Sequence, residues 1–291
     1  METILIRYSE IGLKSDPVRR RFEGILKRNI IDMLARDSVE AVVSIANSRL
    51  YVETRDIPAA VESLRRVFGI SSLSVATICD ATMDSIKRTA SRISEGLLSP
   101  GDTFAVEARR DGDTYGFTSM DLKREAGAAI LEANSAKGVR VDLTNPDKTV
   151  FIEVRSNKAY VFTSYIECHA GLPLGSQGHV LAYVDDDRGL VSAWLMMKRG
   201  CRVTVCGDFG LRLLNRYDPH LRTLGKDEEV PGNILGFVRG CKIDQLLGIG
   251  ESRLPVFMPT IGMSDGTIAA LLNQIESGEA RAIDIVCHQR T

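Results

Sequence analysis

The stretch with the clearest chemical potential is a polar loop between an apolar strand and an apolar helix. Val180–Val184 is typical of a short buried strand, and Leu190–Arg199 reads as an apolar helix that ends in cations before Gly200. Residues 185–189 form the loop between them. A strand, a tight loop and a helix can hold a nucleotide phosphate, because backbone N–H groups and the helix N-terminus then face the anion.

The side chains of this loop argue against such a site. Asp185, Asp186 and Asp187 would repel a polyphosphate at short range, and Arg188 supplies a single compensating charge. A bridging Mg²⁺ could reverse the repulsion, since carboxylates and phosphates both ligate it. Two interpretations follow: a solvated turn whose acidic residues cap the helix, or a non-standard Mg–ATP site.

The flanking sequence resembles the tRNA 4-thiouridine synthetase (tRNA sulfurtransferase) family, in the runs GLPLGSQG and AWLMMKRG. In that family the loop is Ser-Gly-Gly-x-Asp-Ser, a PP-loop that binds ATP so that a tRNA uridine can be adenylated before sulfur enters. Counted back from Ala193, the six positions are here Val184, Asp185, Asp186, Asp187, Arg188 and Gly189. None of the five specified residues is present, so the resemblance implies a PP-loop-like fold with a degenerate nucleotide loop.

Composition and charge narrow the functional class. The 291 residues carry 37 Lys and Arg against 38 Asp and Glu, a formal net charge of −1, so an RNA site must consist of local patches. No apolar run is long enough for a membrane span, and the N-terminus has no signal-peptide pattern. Six scattered cysteines without a CxxC pair favour a cytoplasmic protein with reduced thiols and no metal site.

The first cationic patch lies around a helix predicted from Asp16 to about Arg36, with Asp16 as its N-cap. Lys14 and the run Arg19, Arg20 and Arg21 surround its first turn. Exposed cations there oppose the helix dipole by about 0.3–1 kcal/mol each. Pairing with Glu23 would offset this cost, and so would an external phosphate, which we favour.

The motif YSEIGLKSDPVRRRFE, which contains this patch, resembles the ferredoxin-like domain of the same family. The predicted order of strand, helix, two strands, helix and strand agrees with that fold. Further on, the runs FAVEARR, FTSMDLKREAG, VDLTNPDKTVFIEV and KAYVFTSYI resemble a THUMP domain, an RNA-binding module of tRNA-modifying enzymes. By this resemblance Arg109 and Arg110, at a predicted strand end, and Lys123 and Arg124, on the next helix, are expected to contact phosphates.

We therefore expect an α/β and α+β multidomain protein that ends in a truncated Rossmann-like (PP-loop ATPase-like) parallel sheet, doubly wound with helices on both faces. The expected parts are a ferredoxin-like domain at 1–76, a THUMP domain at 77–167, a glycine-rich hinge at 168–179 and a degenerate PP-loop-like domain at 180–291. Two departures from the family concern the last part. The long helical insert after its second strand is missing, and the loop after its third strand reads RGCKIDQ. Cys287 beside His288 is a weak candidate for the family's catalytic cysteine.

The favoured function is binding of the tRNA acceptor end in tRNA thiolation, without adenylation by this chain and without a cofactor. One alternative is an active sulfurtransferase that binds ATP and Mg²⁺ in a non-standard way. Another is a docking subunit for a competent modification enzyme or a sulfur carrier. A homodimer is also left open, and no membrane partner is expected.

Overall fold

A computed structural model of the chain describes residues 2–8, 10–46, 48–112, 115–225, 228–248 and 250–280. Contacts divide the chain into two compact units. The first comprises Met1–Leu5, Tyr51–Glu53 and Leu73–Ile166, and the second comprises Ile6–Leu50, Thr54–Ser72 and Glu167–Thr291. No helix within these described ranges is long and apolar enough to cross a membrane.

Seven α-helices lie in the described ranges, namely α1 Asp16–Arg36, α2 Ile57–Leu64, α3 Met83–Leu97, α4 Ser119–Ala133, α5 Asp187–Lys198, α6 Leu211–Asn215 and α7 Asp265–Ser277. The strands of the first half are β1 Glu2–Arg7, β2 Ala41–Ala46, β3 Arg49–Thr54, β4 Ser72–Asp80, β5 Thr103–Asp111, β6 Arg140–Val141, β7 Lys148–Arg155, β8 Lys158–Phe162 and β9 Ile166–Glu167. Those of the second half are β10 His179–Tyr183, β11 Arg202–Cys206, β12 Arg222–Leu224, β13 Phe237–Arg239 and β14 Val256–Phe257.

The first four strands have the order β2-β3-β1-β4, with α1 after β1 and α2 after β3. This is the βαββαβ arrangement expected from the sequence, and the ferredoxin-like fold is confirmed. One detail of the expectation was wrong. Ser15, rather than Asp16, is the N-cap of α1, and Asp16 already belongs to the helix.

In the first unit β4, β8, β7, β5 and β6 are consecutive neighbours in one sheet. The pairs β4–β8 and β7–β8 are antiparallel, whereas β5 runs parallel to β7 and β6. Helices α3 and α4 bury their apolar sides on this sheet, and Ile86, Leu122 and Ile130 are completely buried there. The sheet therefore fixes the direction of β5, which carries two of the candidate arginines.

The second unit contains an all-parallel sheet of order β12-β11-β10-β13-β14. One face, which we call the helix face, packs into the core with α5, α6 and α7, around the fully buried Trp194. Its side chains are Val180, Ala182, Val184, Val203, Val205 and Val238. The parallel sheet confirms the expected class.

The prediction of helices on both faces was wrong for the described residues. Crossovers between parallel strands are right-handed. The connections β12–β13 and β13–β14 cross the sheet in the direction opposite to that of β10–β11, so they belong on the face opposite the helix face. Their described residues contain only loops and the 3-10 helix Ile243–Gly248. The second layer of α-helices is absent there because neither connection has a long apolar stripe of helical period.

The segment predicted as a hinge, 168–179, is packed and hydrogen-bonded. Leu172 N–H donates to the carbonyl of Lys198 at 3.0 Å, and Gly175 N–H donates to that of Gly200 at 2.8 Å. Residues 171–174 are buried, and a Cβ at Gly171 (φ +78°) would overlap the carbonyl oxygen of Lys198. The glycines thus permit close backbone approach, and these contacts contradict the expectation of a flexible linker.

Candidate functional site

The candidate nucleotide loop lies where the parallel sheet changes direction. From β10 the chain builds β11 and β12 on one side, and then β13 and β14 on the other. The carboxyl ends of β10 and β13 therefore border a crevice, the usual ligand position in such sheets. An open cleft of about 500 Å³ is present there, lined by Asp185, Asp186, Asp187, Arg188, Phe209, Lys242, Asp265, Ile268, Ala269 and Leu272.

The acidic loop caps the helix that follows. Helix α5 begins at Asp187, earlier than the expected Leu190, and its N-cap is Asp186. The carboxylate of Asp186 accepts a hydrogen bond from the backbone N–H of Gly189 at 2.7 Å. Asp186 thus caps the helix, and it engages a backbone donor that a phosphate cradle would use.

Arg188 is turned inward instead of into solvent. Its guanidinium donates to the carbonyls of Thr260 at 3.0 Å and Met263 at 3.2 Å, and to the carboxylate of Asp265 at 2.8 Å. Lys242 also donates to Asp265, at 2.8 Å. The hydrogen bonds from Lys242 and then Arg188 hold the pKa of Asp265 below its usual value. The single cation of the loop is thus engaged in joining α5 to the start of α7.

A close backbone contact fills the space beside the first turn of α5. A Cβ at Gly240, directly after β13, would overlap the backbone nitrogen of Gly189 and the carbonyl of Arg188. The two backbones therefore touch at the point where the helix N-terminus would face an anion. Sequence analysis did not find this contact, because Gly240 and Gly189 lie in different βα units.

In the described part of the chain no three His, Cys, Asp or Glu side chains are grouped so that they could hold a metal ion. Asp185, Asp186 and Asp187 are all exposed at the mouth of the cleft. Cys287 and its neighbour His288 lie outside the described residues. The chemistry of the cleft thus depends on exposed carboxylates, Lys242 and the engaged Arg188.

The cations around α1 divide into side chains with an ion-pair partner and side chains that have none in the described part of the chain. Lys14, Arg20 and Arg21 are exposed, whereas Arg19 forms an ion pair with Asp16 at 2.8 Å. Glu23 is not the partner of these arginines. It is buried, and its carboxylate accepts a hydrogen bond from the hydroxyl of Tyr8. Burial, and next this hydrogen bond, raise the pKa of Tyr8 to about 12.

The THUMP-like cations lie on β5 and α4. Strand β5 continues to Asp111, so Arg109 and Arg110 lie within the strand, not at its end, and alternate between its faces. Arg109 is exposed, and Arg110 donates to the carbonyl of Gly112 at 3.2 Å.

The two cations of α4 are held by acidic neighbours. Lys123 pairs with Glu107 of β5 at 2.7 Å. Arg124 pairs with Asp121 at 3.4 Å and with Glu125 at 3.3 Å. Among the predicted cations of this module, Arg109 is therefore the exposed one that forms no ion pair with another described residue.

Comparison with known proteins identifies the first two modules. The ThiI ferredoxin-like domain model matches residues 3–74, and the THUMP domain model matches residues 80–164. The probable tRNA sulfurtransferase of Methanosarcina acetivorans is 39% identical over 207 residues, and that of Methanocaldococcus jannaschii is 39% identical over 210. The chain belongs to the tRNA sulfurtransferase family. Each comparison with these two relatives covers 69% of this family member, but only 49% and 54% of the relatives' own lengths.

Two crystal structures share the fold of this family member. That of PH1313 from Pyrococcus horikoshii Ot3 has a TM-score of 0.82 and 27% identity, and the match covers 95% of this chain and 100% of the other. A 4-thiouridine synthetase–RNA complex with bound ATP has a TM-score of 0.80 and 21% identity, over 100% of this chain and 91% of that one. These matches extend through the third domain and confirm its fold.

Proposed function

We propose that this member of the tRNA sulfurtransferase family binds the acceptor end of tRNA with its ferredoxin-like and THUMP domains, and acts in tRNA thiolation without adenylating the tRNA itself. The observation that carries the RNA-binding part is the presence of a ThiI ferredoxin-like domain and a THUMP domain with exposed cations on each. The related 4-thiouridine synthetase that was solved with RNA has the same fold and supports RNA as the partner.

The side chains proposed for phosphate contacts are those that form no ion pair with another described residue. Lys14, Arg20 and Arg21 at the start of α1 and Arg109 on β5 are exposed and ready to meet an anion. Arg19, Arg110, Lys123 and Arg124 have intramolecular partners, so binding RNA through them requires breaking a contact first. Exposed ion pairs are weak, typically about 0–1 kcal/mol, so these four still add to the positive field.

The proposed loss of adenylation rests on the α5 terminus. A phosphate cradle needs converging backbone donors and space for the anion. Here the Gly189 N–H donates a hydrogen bond to the Asp186 carboxylate, and the backbone of Gly240 lies against that of Gly189. Three exposed carboxylates add repulsion, which is about 1 kcal/mol per charge pair at about 4 Å in water and more at lower dielectric. ATP binding would have to displace the cap and overcome this repulsion.

The RNA-binding proposal can be tested by the salt dependence of affinity. The affinity for labelled tRNA, measured by electrophoretic mobility shift, should fall as the salt concentration rises. Arg109→Ala should reduce the slope of log affinity against log salt concentration by up to about 0.9. The matched control is Arg124→Ala in the same module, whose partially neutralised side chain should change the slope less. If Arg109→Ala and Arg20→Ala together change neither affinity nor slope, the proposed contacts are wrong.

The adenylation proposal needs a separate experiment. Isothermal titration with ATP and Mg²⁺ should show no binding at micromolar concentrations, and incubation with tRNA and ATP should release no pyrophosphate. A micromolar dissociation constant that Asp186→Ala abolishes would overturn the proposal in favour of an active enzyme with a non-standard Mg–ATP site. The cleft of about 500 Å³ at the switch point is the observation that keeps this second candidate in view.

The proposed function is also compatible with a docking role for the third domain. In that case this chain would bring tRNA to a competent modification enzyme or a sulfur carrier. Such a role predicts tRNA binding without nucleotide binding, as the main proposal does. The docking role and the main proposal would be distinguished by measuring tRNA thiolation in a reaction that contains both this chain and a catalytically active family member.

A further inference from the structure

The face of the parallel sheet opposite the helix face has an unusual set of side chains. We call it the open face, and it is defined by strand residues that alternate with those of the helix face. These residues are His179, Leu181, Tyr183, Arg202, Thr204, Cys206, Arg222, Leu224, Phe237, Arg239 and Val256. None of the eleven is acidic, three are arginines, and Tyr183 and Phe237 carry aromatic rings.

The open face lacks the α-helices that normally cover a parallel sheet. Helices α5, α6 and α7 share the core of the helix face, and the described residues of the two opposite connections form loops and a 3-10 helix. Arg222 on the edge strand β12 and Arg239 at the end of β13 are exposed, and Tyr183 and Phe237 are half-buried, whereas Leu181 and Thr204 in the middle of the face are buried. Parallel sheets are normally buried on both faces, so this exposure needs a partner or a function.

Aromatic and cationic groups already stack on the open face. The guanidinium of Arg239 lies over the ring of Tyr183, 4.1 Å from its centroid. The centroids of the Tyr183 and Phe237 rings lie 6.0 Å apart. A half-buried aromatic ring beside a flat guanidinium is the kind of platform on which an unpaired nucleic-acid base stacks.

A cleft of about 550 Å³ opens at the amino ends of the same strands. It is lined by His179, Arg202, Arg222 and Asn233, among others. Arg202 is held by the buried Asp218 at 2.8 Å, whereas Arg222 is exposed. Burial, and next the charges of Arg222 and Arg202, lower the pKa of His179, against the opposing charge of Asp218.

Hydrogen bonds fix the polar wall of this cleft. His179 Nε2 lies 2.8 Å from the hydroxyl of Thr204, and its Nδ1 lies 3.2 Å from the amide nitrogen of Asn233. Since an amide nitrogen only donates, Nδ1 accepts and Nε2 carries the proton. The imidazole is therefore neutral and fixed in orientation, and the net positive charge of the cleft comes from Arg222, because Arg202 is paired with Asp218.

We propose that the open face binds a single-stranded segment of RNA, with a phosphate between Arg202 and Arg222 and a base against Tyr183 and Arg239. The proposal rests on the proposed function only in taking RNA as the partner. It adds a binding surface in the third domain that uses none of the residues lining the nucleotide cleft and none of the cations of the first two domains. A protein partner is disfavoured because the exposed groups are guanidiniums and small aromatic areas, not a broad apolar patch.

The test uses the full chain and a fluorescein-labelled octaadenylate, followed by fluorescence anisotropy. Tyr183→Leu should weaken binding about tenfold by removing a stacking ring. Arg222→Ala should reduce the log–log salt slope by about 0.7, the value for one phosphate of a single strand. The matched control is Arg212→Ala, an exposed arginine on α6 on the opposite side of the sheet, which should bind as the unaltered chain does.

The emission of the chain's one tryptophan, Trp194 on the helix face, verifies that each variant is folded. Absence of octaadenylate binding would overturn the proposal and favour a protein as the occupant of the open face. Equal binding by Tyr183→Leu, Arg222→Ala and Arg212→Ala would also overturn it, but would leave the proposed tRNA binding by the first two domains intact. Conversely, weakened octamer binding by Tyr183→Leu beside unchanged tRNA binding by Arg109→Ala would support the open face and count against the proposed function.

Discussion

His169 provides a sharp test of how the supposed hinge is packed. Its side chain is buried among three aromatic rings, with centroid distances of 6.1 Å to Phe68, 5.3 Å to Trp194 and 5.4 Å to Tyr217. Phe68 follows α2 of the ferredoxin-like domain, whereas Trp194 and Tyr217 belong to the third domain. Protonation of this imidazole should therefore disrupt the packing that links the two.

The size of the expected loss of folding stability follows from the pKa of His169. Burial, and next the positive charges of Lys198 and Arg65, lower it from 6.5 to about 4. Because the folded chain then binds fewer protons than the unfolded chain, the stabilisation is complete above pH 6.5 and is lost as the pH falls towards 4. Between about pH 7.5 and about pH 5 the expected loss from this one group is about 2 kcal/mol.

The assay is denaturant unfolding followed by the fluorescence of Trp194, which lies beside the imidazole. The free energy of unfolding of the unaltered chain should fall on acidification by about 2 kcal/mol more than that of His169→Leu. The control is His220→Gln, whose side chain is 60% exposed and should leave the difference in place. If His169→Leu loses as much stability as the unaltered chain, the imidazole is not buried as described and the argument fails.

Three further predictions concern the linker and the α5 terminus. Proteinase K should cut first outside residues 169–178, because that segment is hydrogen-bonded to the carbonyls of Lys198 and Gly200; early cleavage inside it would restore the hinge. Gly240→Ala should lower the free energy of unfolding by about 1–3 kcal/mol through its clash with the α5 backbone. Gly232→Ala should leave the free energy of unfolding unchanged, because a Cβ at that position meets no other atom. An equal effect of the two substitutions would refute the contact between Gly240 and the α5 backbone. Asp186→Ala should cost about 1 kcal/mol in the same measurement by removing the cap, and an unchanged value would show that the cap contributes nothing.

The sequence determined the elements whose signals are local. Helix α1 was expected from Asp16 to about Arg36 and has those bounds, because its apolar spacing and its proline in the first turn lie within one segment. The cap of the last helix is equally local, because the Ser264 hydroxyl accepts a hydrogen bond from Thr267 N–H, three residues along the chain. The resemblance of the first two domains was likewise carried by continuous motifs, and the family models confirm it.

Tertiary contacts decided the conformation of segments whose sequence pattern is too short or is misleading. The interval from Leu211 to Leu224 predicts a helix broken near Asp218 and Pro219, but helix α6 ends at Asn215. Residues Arg222–Leu224 form strand β12, and only their pairing with β11 makes them a strand. The glycine-rich stretch 171–178 suggested flexibility, but the carbonyls of Lys198 and Gly200 take its backbone donors.

The candidate sites followed the same division. The aspartates of the loop were found from composition, since charge repulsion depends on residue type alone. The inward turn of Arg188 depended on carbonyls about seventy residues away, at Thr260 and Met263, and the closure of the helix terminus depended on Gly240. The stacking of Arg239 on Tyr183 depended likewise on the register of two strands that are separated by more than fifty residues. A linear pattern cannot specify such pairs, because only folding brings the partner groups within contact distance.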